Sequence, residues 1–252
     1  MFWISPAIFA SASFTSLRIS SKITPSHAEK RNPVIKIEIV TNSIEVFLLC
    51  FFIGVPIKIR NDAKCAALAE KKYGALKNYK DCIFLCIGTG IGGAAFLNGK
   101  MLEPNGFSGF EFGHIIIEKD GRECTCGKKG CFEQYASISA VKKKVTKILG
   151  ERPDVSGRYL REELLVKDNT LVKLEVENWL NYLKIGIGNL IDIFEPKAIC
   201  LGGSFSHYEG NPILDRLINK LQEPDTTFTI SKKPDIVLAK YKNDSGIIGA
   251  TL

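Results

Sequence analysis

Residues 81–102 read DCIFLCIGTGIGGAAFLNGKML. The mostly apolar run 81–87 predicts a buried strand, and the glycine-rich run 88–93 predicts a tight loop. AAFLNGKML then predicts a second strand that turns at Asn98 and Gly99. The glycine spacing matches a dinucleotide-binding loop, but that loop needs a helix directly after it, and here a strand follows. A Rossmann dehydrogenase is therefore disfavoured.

The chain around this stretch alternates between strand and helix patterns. AKCAALAEKKYG, with Asn61 and Asp62 as caps, predicts a helix that Gly74 ends. Apolar residues recur every three to four positions over 135–149 and 174–194, and both stretches predict helices. The other predicted elements are a strand at 55–59, a strand or core segment at Val46–Val55, strands at 198–203 and 235–241, a helix from Pro212, and a last helical segment at 245–252. This alternation predicts an α/β fold.

Composition narrows the class of protein. The chain has 252 residues, 45% hydrophobic content and a net charge of +7, which are typical of a globular chain with a substantial core. Lys and Arg are scattered, so we interpret them as a solvated basic face, and a nucleic-acid partner is not expected. Val46–Val55 is too short to span a membrane, and the N-terminus lacks the early positive charge of a signal peptide. We expect a cytoplasmic protein with no membrane partner.

Four metal-ligand residues lie close together in the sequence: His114, Cys124, Cys126 and Cys131. Imidazole nitrogen and thiolate sulfur in a Cys3His set are standard ligands of structural zinc. Disulfides or buried thiols are the alternative, but Cys124 and Cys126 are poorly placed to pair and their surroundings are charged. The other cysteines fall in apolar or helical contexts that suit free thiols in a reducing compartment: Cys50, Cys65, Cys82, Cys86 and Cys200.

The glycine loop has two interpretations. A tight hairpin that carries Thr89 can direct backbone N–H groups and a hydroxyl at a phosphate. A purely structural hairpin also needs glycines, so the loop alone does not decide between them. Residues 1–53 contain no glycine, although the chain has 22. A phosphate-binding turn is therefore not expected before Gly54.

The motifs, in order, identify a family. NDAKCAALAEKKYG, IGTGIGGAAFLNGKML, GFSGFEFGH, CTCGKKGCFEQYAS, ICLGGSFS and NDSGIIGATL resemble the ROK family of bacterial sugar kinases and sugar-responsive repressors. The resemblance covers 54–252, and its most specific parts are E-x-G-H and C-x-C-G-x-x-G-C-x-E. It implies an actin-like, ribonuclease H-like kinase fold of two α/β lobes, with sugar and ATP between them. It also implies a homodimer.

The resemblance assigns roles to individual residues. It implies that Asp62 is the general base that takes the proton of the attacking sugar hydroxyl; an isolated Asp here would otherwise be a helix cap. The residues implied to bind the hexose with Asp62 are Asn61, Glu111, His114 and Glu133. Glu111 and Glu133 would otherwise be surface acids. His114 is implied to hold zinc with one ring nitrogen and a sugar hydroxyl with the other.

The resemblance also implies an ATP site with Mg²⁺. The residues implied to approach the nucleotide are Gly88, Thr89, Gly90, Gly92, Gly202 and Gly203. For Gly202 and Gly203, a simple turn is the alternative. The zinc is expected to be structural, because three cysteines and a histidine leave no open position for a catalytic water.

The N-terminal part departs from the family. Family kinases begin with a strand and a D-x-G-G-T phosphate loop, and residues 1–53 supply neither, as a truncated or frame-shifted reading frame would produce. We therefore divide the chain into an atypical segment 1–53, a small-lobe remnant 54–81, a large lobe 82–242 with the zinc loop, and a segment 243–252 that returns to the small lobe.

Two hypotheses about function follow. The first is an ATP-dependent hexose kinase of the glucokinase type, in which sugar recognition outlasts phosphoryl transfer in this chain. The second is a non-catalytic sugar-binding protein, either a regulator or a degenerate remnant. A DNA-binding repressor is the weaker form of the second, because residues 1–53 show no helix-turn-helix pattern. The sequence leaves the identity of the hexose open.

Overall fold

The computed structural model describes residues 18–19, 37–38, 60–104, 109–223 and 233–252. The chain divides into two compact units, residues 1–62 with Thr251 and residues 63–250 with Leu252. In the first unit, strand β1 (Arg18–Ile19) pairs antiparallel with strand β2 (Ile37–Glu38). The strands predicted at Val46–Val55 and 55–59 lie outside the described residues. The predicted division at residues 53, 81 and 242 stays a prediction.

The second unit is built on a five-stranded sheet. Its strands are β3 (Cys82–Ile87), β4 (Ile91–Leu97), β5 (Lys100–Met101), β6 (Ala198–Gly202) and β7 (Asp235–Leu238). The order across the sheet is β5-β4-β3-β6-β7. Strands β3, β4 and β5 form an antiparallel meander, whereas β6 and β7 run parallel to β3. The predicted turn at Asn98 and Gly99 joins β4 to β5.

Seven helices surround the sheet among the described residues. They are α1 (Asp62–Tyr73), α2 (Glu133–Ala136), α3 (Ile138–Leu149), α4 (Gly157–Tyr159), α5 (Thr170–Phe194), α6 (Pro212–Gln222) and α7 (Ser245–Ala250). A π-helical turn, Leu160–Leu164, follows α4. Three 3₁₀ turns lie at Phe112–His114, Gly203–Tyr208 and Lys242–Asp244.

Two predicted helices differ from the observed ones at their N-termini. The helix predicted at 135–149 is split at Ser137, whose side chain accepts a hydrogen bond from the Ala140 amide and caps α3. The helix predicted from Leu174 begins at Thr170, because the Asn169 side chain accepts hydrogen bonds from two first-turn amides. In both cases a polar capping side chain, and not the spacing of the apolar residues, determines where the helix begins.

Strand β3 is buried on both faces, which explains its continuous apolar sequence. Ile83, Leu85 and Ile87 belong to the large core, which also contains Trp179 and Leu183 of α5. The alternate residues, Cys82 and Phe84, belong to a smaller core with Ala66 and Ala67 of α1. The period-two alternation of the strand thus divides its side chains between two cores.

A buried carboxylate joins α1 to the C-terminal part of the chain. Glu70 has no solvent exposure. Its Oε2 accepts hydrogen bonds from the amides of Ala75 (2.9 Å) and Lys240 (3.0 Å). Its Oε1 accepts hydrogen bonds from the Tyr241 amide (2.8 Å) and the Ser245 hydroxyl (3.0 Å). These bonds satisfy a group that would otherwise be very costly to bury.

The cysteines outside the metal motif behave as predicted where they are described. Cys82 and Cys200 are buried free thiols, Cys65 is buried, and Cys86 is partly buried. Burial raises the pKa of the Cys82 thiol to about 11, so this thiol stays protonated. Cys50 lies outside the described residues. None of the helices described is both long and apolar enough to cross a membrane.

Candidate functional site

The segment from His114 to Cys131, which we call the metal loop, is folded by short backbone ladders. Near its two ends the Phe132 amide donates to the Ile115 carbonyl at 2.9 Å and the Ile117 amide to the Gly130 carbonyl at 2.9 Å. Deeper in the loop, the Cys124 amide donates to the Lys128 carbonyl at 2.9 Å. These bonds bring the beginning and end of the loop together.

Gly130 is the residue that allows this closure. It has φ +79°, and a Cβ at this position would lie 1.7 Å from the Glu118 carbonyl oxygen. Only glycine avoids both the left-handed strain and the steric overlap. The backbone geometry of the loop therefore requires glycine at position 130, directly before Cys131.

The four predicted metal ligands converge. One ligand atom from each of His114, Cys124, Cys126 and Cys131 lies within 4.8 Å of the others. The Sγ of Cys124 is 3.6 Å from the Nδ1 of His114, and the two sulfurs of Cys126 and Cys131 are 3.5 Å apart. Tetrahedral zinc with ordinary bond lengths places a sulfur and a nitrogen about 3.6 Å apart and two sulfurs about 3.8 Å apart. The donor set therefore fits zinc in identity and spacing.

The thiols of the loop differ in electrostatic environment. Burial raises the pKa of the Cys131 thiol to about 12, and Cys131 has no solvent exposure. The backbone N–H of Lys128 lowers the pKa of the exposed Cys126 thiol. A buried thiolate at position 131 needs a compensating positive charge, which a divalent cation among these ligands would provide.

Glu133 joins the metal loop to the glycine loop. Its Oε1 lies 3.7 Å from the His114 Nδ1 and accepts a contact from the Cys124 thiol at 3.2 Å. Its Oε2 accepts a long hydrogen bond, 3.5 Å, from the Ile91 amide. A Cβ at Gly90 would lie 2.6 Å from that Oε2, so a glycine at this position permits the close approach. The sequence placed Glu133 beside the cysteines, and the structure also places it beside the glycines.

The predicted sugar ligand Glu111 lies at the start of a 3₁₀ turn. Its carbonyl accepts a hydrogen bond from the His114 amide at 3.0 Å, so the turn orders the E-x-G-H motif. Phe110, just before it, has φ +58°, an uncommon conformation for a bulky residue and one often found at functional sites. The Lys64 ammonium of α1 donates to the Gly109 carbonyl at 3.0 Å. This contact holds the motif against α1, and sequence reasoning did not predict it.

Asn61 and Asp62, which the sequence predicts as caps, lie at the start of α1. Both belong to the first unit, and Asp62 is the first residue of α1. The next residue, Ala63, packs against strand β4: a Cβ at Gly92 would lie 2.8 Å from that of Ala63. The N-terminal end of α1 in the second unit therefore lies against the glycine-rich strand.

The glycine loop is shorter than predicted. Strand β4 begins at Ile91, so Gly92 belongs to the strand and only Gly88, Thr89 and Gly90 form the loop. The Gly88 amide donates to the Gly90 carbonyl at 2.9 Å, and the Gly88 carbonyl accepts from the Ile138 amide of α3 at 3.0 Å. The loop is thus a tight turn attached to α3.

Gly202 and Gly203 lie at the same end of the sheet as this loop. Gly202 pairs with Cys86 across the parallel strands β3 and β6. Gly203 has φ +64°, and a Cβ there would approach the Cys86 sulfur to 2.9 Å. Ligands of open α/β sheets bind at the carboxyl ends of the parallel strands. A nucleotide is therefore expected at this end of the sheet.

Two cavities are lined by residues near the N-terminus of α3. One, of about 640 Å³, is lined by Thr89, Gly90 and Glu133 together with residues of the metal loop and α3. The other, of about 280 Å³, is lined by Ile138, Ser204 and neighbouring polar residues. The glycine loop therefore borders the first cavity, and Ser204, which follows Gly203, borders the second.

Comparison with known proteins identifies the family. Residues 50–252 match the ROK family, so the chain belongs to the ROK family. The structure resembles the ROK hexokinase from Thermus thermophilus with a TM-score of 0.69 at 27% identity, covering 81% of this chain and 66% of that protein. The predicted family and the predicted actin-like sugar-kinase fold are both confirmed.

Relatives by sequence include both enzymes and regulators. A glucokinase from Streptomyces coelicolor is 29% identical over 217 residues, which cover 79% of this chain and 67% of that enzyme. A xylose repressor from Bacillus spizizenii is 36% identical over 163 residues, which cover 64% of this chain and 40% of the repressor. The chain thus spans about two thirds of the kinases it matches and less than half of the repressor.

Proposed function

We propose that this chain carries the sugar-binding and zinc-binding part of a ROK hexose kinase of the glucokinase type. The observation that supports this most directly is the position of Glu133. One of its oxygens lies at the predicted metal ligands and the other at the glycine loop. A single carboxylate therefore adjoins both the structure that orients a sugar-binding histidine and the loop that approaches a phosphate.

Zinc is proposed to be held by His114, Cys124, Cys126 and Cys131. When bound, it supplies a fixed positive charge and a rigid tetrahedral anchor, with no open position for water. Because Nδ1 of His114 is the ring nitrogen that faces Cys124 at 3.6 Å, Nε2 is left to exchange a hydrogen bond with a sugar hydroxyl. Glu111, Glu133 and Asn61 are proposed to accept and donate the remaining hydroxyl contacts.

Asp62 is proposed as the general base. Its carboxylate accepts the hydroxyl proton while the sugar oxygen forms its bond to the γ-phosphorus of ATP and the bond from that phosphorus to the β-phosphate oxygen breaks. Mg²⁺ accompanies the nucleotide. The phosphates of the nucleotide are proposed to lie near Gly88, Thr89, Gly90 and Gly92, and its nucleoside near Gly202 and Gly203. Both glycine segments lie at the same end of the sheet.

The second candidate function is sugar binding without catalysis, in a regulator or a remnant. The similarity to a xylose repressor favours it, and phosphoryl transfer depends on positioning by groups on both sides of the phosphates. We therefore propose that sugar recognition persists in this chain when turnover is weak. A cytoplasmic location and a homodimer, both implied by the family, belong to this proposal.

Calorimetric titration with glucose, run in parallel with an assay of ATP consumption, tests the proposal. We expect measurable glucose binding by the wild-type chain and its loss in Glu133→Gln, because the amide nitrogen of Gln cannot accept the contacts that a carboxylate oxygen makes. Glu163→Gln, a change at an exposed acid of the π-helical turn, is the matched control. No saturable binding of glucose, mannose or N-acetylglucosamine to folded protein would refute sugar recognition.

A further inference from the structure

The side chain of Gln134 lies between a predicted metal ligand and a predicted sugar ligand. Its Nε2 is 3.5 Å from the Sγ of Cys124 and 3.4 Å from the Oε1 of Glu133. These two acceptors are also in contact with each other, since the sulfur is 3.2 Å from Oε1. A side-chain amide nitrogen carries two N–H donors, so Gln134 can donate one to each acceptor.

The two acceptors need such donors because both are anionic in a site that holds a metal. The metal ligand form of cysteine is the thiolate, and Glu133 contributes a carboxylate. Like charges this close repel each other, and the repulsion is stronger in a partly buried site than in water. N–H groups that donate to both anions offset the repulsion, since hydrogen bonds to charged acceptors are the strong ones.

The backbone of Gln134 is fixed on both sides of its side chain. Its amide donates to the Cys131 carbonyl at 3.0 Å, and its carbonyl accepts from the Arg122 guanidinium at 2.7 Å. That guanidinium lies over the Tyr135 ring, 4.3 Å from the centroid. The side chain is also half-buried. Gln134 therefore loses little further conformational entropy when its amide donates to Cys124 and Glu133.

The contact at Oε1 of Glu133 determines where its other oxygen lies. Oε2 accepts a hydrogen bond of 3.5 Å from the Ile91 amide, which is too long to orient the carboxylate strongly by itself. A carboxylate is planar and rigid, so an oxygen held at Cys124 fixes the direction of the second one. The position of Oε2 at the glycine loop thus depends on the contacts made by Oε1.

We propose that Gln134 is the positioning residue of Glu133. Its side-chain amide holds Oε1 at Cys124 and thereby keeps Oε2 at the glycine loop. Glu133 and Gln134 both line the larger cavity. The binding of a sugar hydroxyl by Glu133 rests on the proposed function, whereas the contact between Gln134 and Cys124 does not. Gln134 acts through Glu133 and has no sugar contact of its own in this proposal.

Three variants of the whole chain test the role of the donor. Gln134→Met keeps most of the side-chain volume without an N–H, Gln134→Glu replaces the donor with a further negative charge, and Gln134→Lys keeps an N–H donor. Gln222→Glu is the matched control, because it makes the same change at an exposed glutamine in the last turn of α6. Calorimetry measures glucose affinity, and competition with a chelator measures zinc affinity.

We expect the order of affinities to follow the donor and the charge. Glucose affinity should fall about ten-fold in Gln134→Met, fall further in Gln134→Glu and be largely restored in Gln134→Lys. Zinc affinity should fall about ten-fold or more in Gln134→Glu, the scale of changes next to metal ligands. The Gln222→Glu variant should keep both affinities. A merely structural Gln134 would instead follow side-chain volume, so Gln134→Met would match the wild type.

The outcomes separate this inference from the proposed function. Wild-type affinities for glucose and zinc in both Gln134→Met and Gln134→Glu overturn the inference, and so does a Gln134→Lys variant as weak as Gln134→Met at matched thermal stability. A wild-type chain that binds zinc but no glucose refutes sugar recognition alone. In that case a loss of zinc affinity in Gln134→Glu, absent from Gln222→Glu, still supports the contact with Cys124, and equal zinc affinities overturn it.

Discussion

The metal loop and helix α1 are held in place by opposite kinds of contact. The loop is stabilised by contacts between residues close in sequence, such as the hydrogen bond from Phe132 to Ile115. Helix α1 is positioned by contacts between distant residues: the bonds from Lys240 and Tyr241 to Glu70 span 170 and 171 positions. The difference indicates that the convergence of the four potential metal ligands depends on local contacts, whereas the position of α1 depends on contacts with distant parts of the chain.

The largest expected effect is on the metal loop. We expect one zinc ion per chain, and chelation should lower the stability of the loop by up to about 10 kcal/mol, the scale of structural zinc in small motifs. Cys131→Ser should reduce the zinc content of purified protein to near zero. Elemental analysis and thermal unfolding measure the two effects.

Cys200→Ala is the matched control for this change, because Cys200 is an equally buried free thiol outside the loop. It should retain one zinc ion per chain even where it lowers stability. Folded wild-type protein without zinc, or a zinc content unaffected by Cys131→Ser, contradicts the site. If the metal loop is stabilised only by local contacts, the amides of α1 should keep their hydrogen-exchange protection after zinc is removed by chelation.

The second largest expected effect is a loss of turnover when Asp62, the first residue of α1, is changed. In a version that carries a family-type N-terminal lobe, Asp62→Asn should lower the rate by about 10² or more, because the amide cannot accept the hydroxyl proton. Loss of a first-turn acid should cost only about 0.3–1 kcal/mol of stability. Steady-state kinetics and urea unfolding separate the two.

Zinc content is the internal control for Asp62→Asn and should not change, because Asp62 is not one of the four predicted metal ligands. A variant with near-normal turnover would remove Asp62 from the mechanism. Glu111 and Glu133 would then be the remaining candidates for the base, and both lie in the second unit. In that case the general base would lie near the locally stabilised metal loop and not on helix α1.

Sequence reasoning succeeded where the determinants are local. The convergence of His114, Cys124, Cys126 and Cys131 could be predicted because these ligand types lie close together within one short loop. Zinc itself stays a prediction. The strand-turn-strand around the glycine loop could be predicted because β-hairpins are specified by adjacent residues. Both features depend on few contacts, and those contacts lie within the quoted motifs.

Sequence reasoning failed where a contact joins distant residues. The hydrogen bond from Lys64 to Gly109 spans 45 positions, and nothing in the helical pattern of α1 distinguishes this lysine from a solvated one. The end of the helix before Ser137 depends on a side-chain cap that competes with a continuous apolar period. Such choices are made by tertiary packing and local hydrogen bonding together, so periodicity alone does not predict them.

The smallest expected effect tests the distant contacts directly. Glu70→Gln keeps the size of the side chain but replaces one accepting oxygen with an N–H donor that faces other donors, so we expect a loss of about 1–3 kcal/mol. Urea unfolding measures the loss, and hydrogen exchange should show weaker protection of the Lys240 and Tyr241 amides. Glu163→Gln, an exposed acid, is the control and should change stability by less than about 0.5 kcal/mol. Zinc content should be unaffected, because none of the four bonds to Glu70 comes from the metal loop. Release of zinc by Glu70→Gln would show that the two regions are energetically coupled.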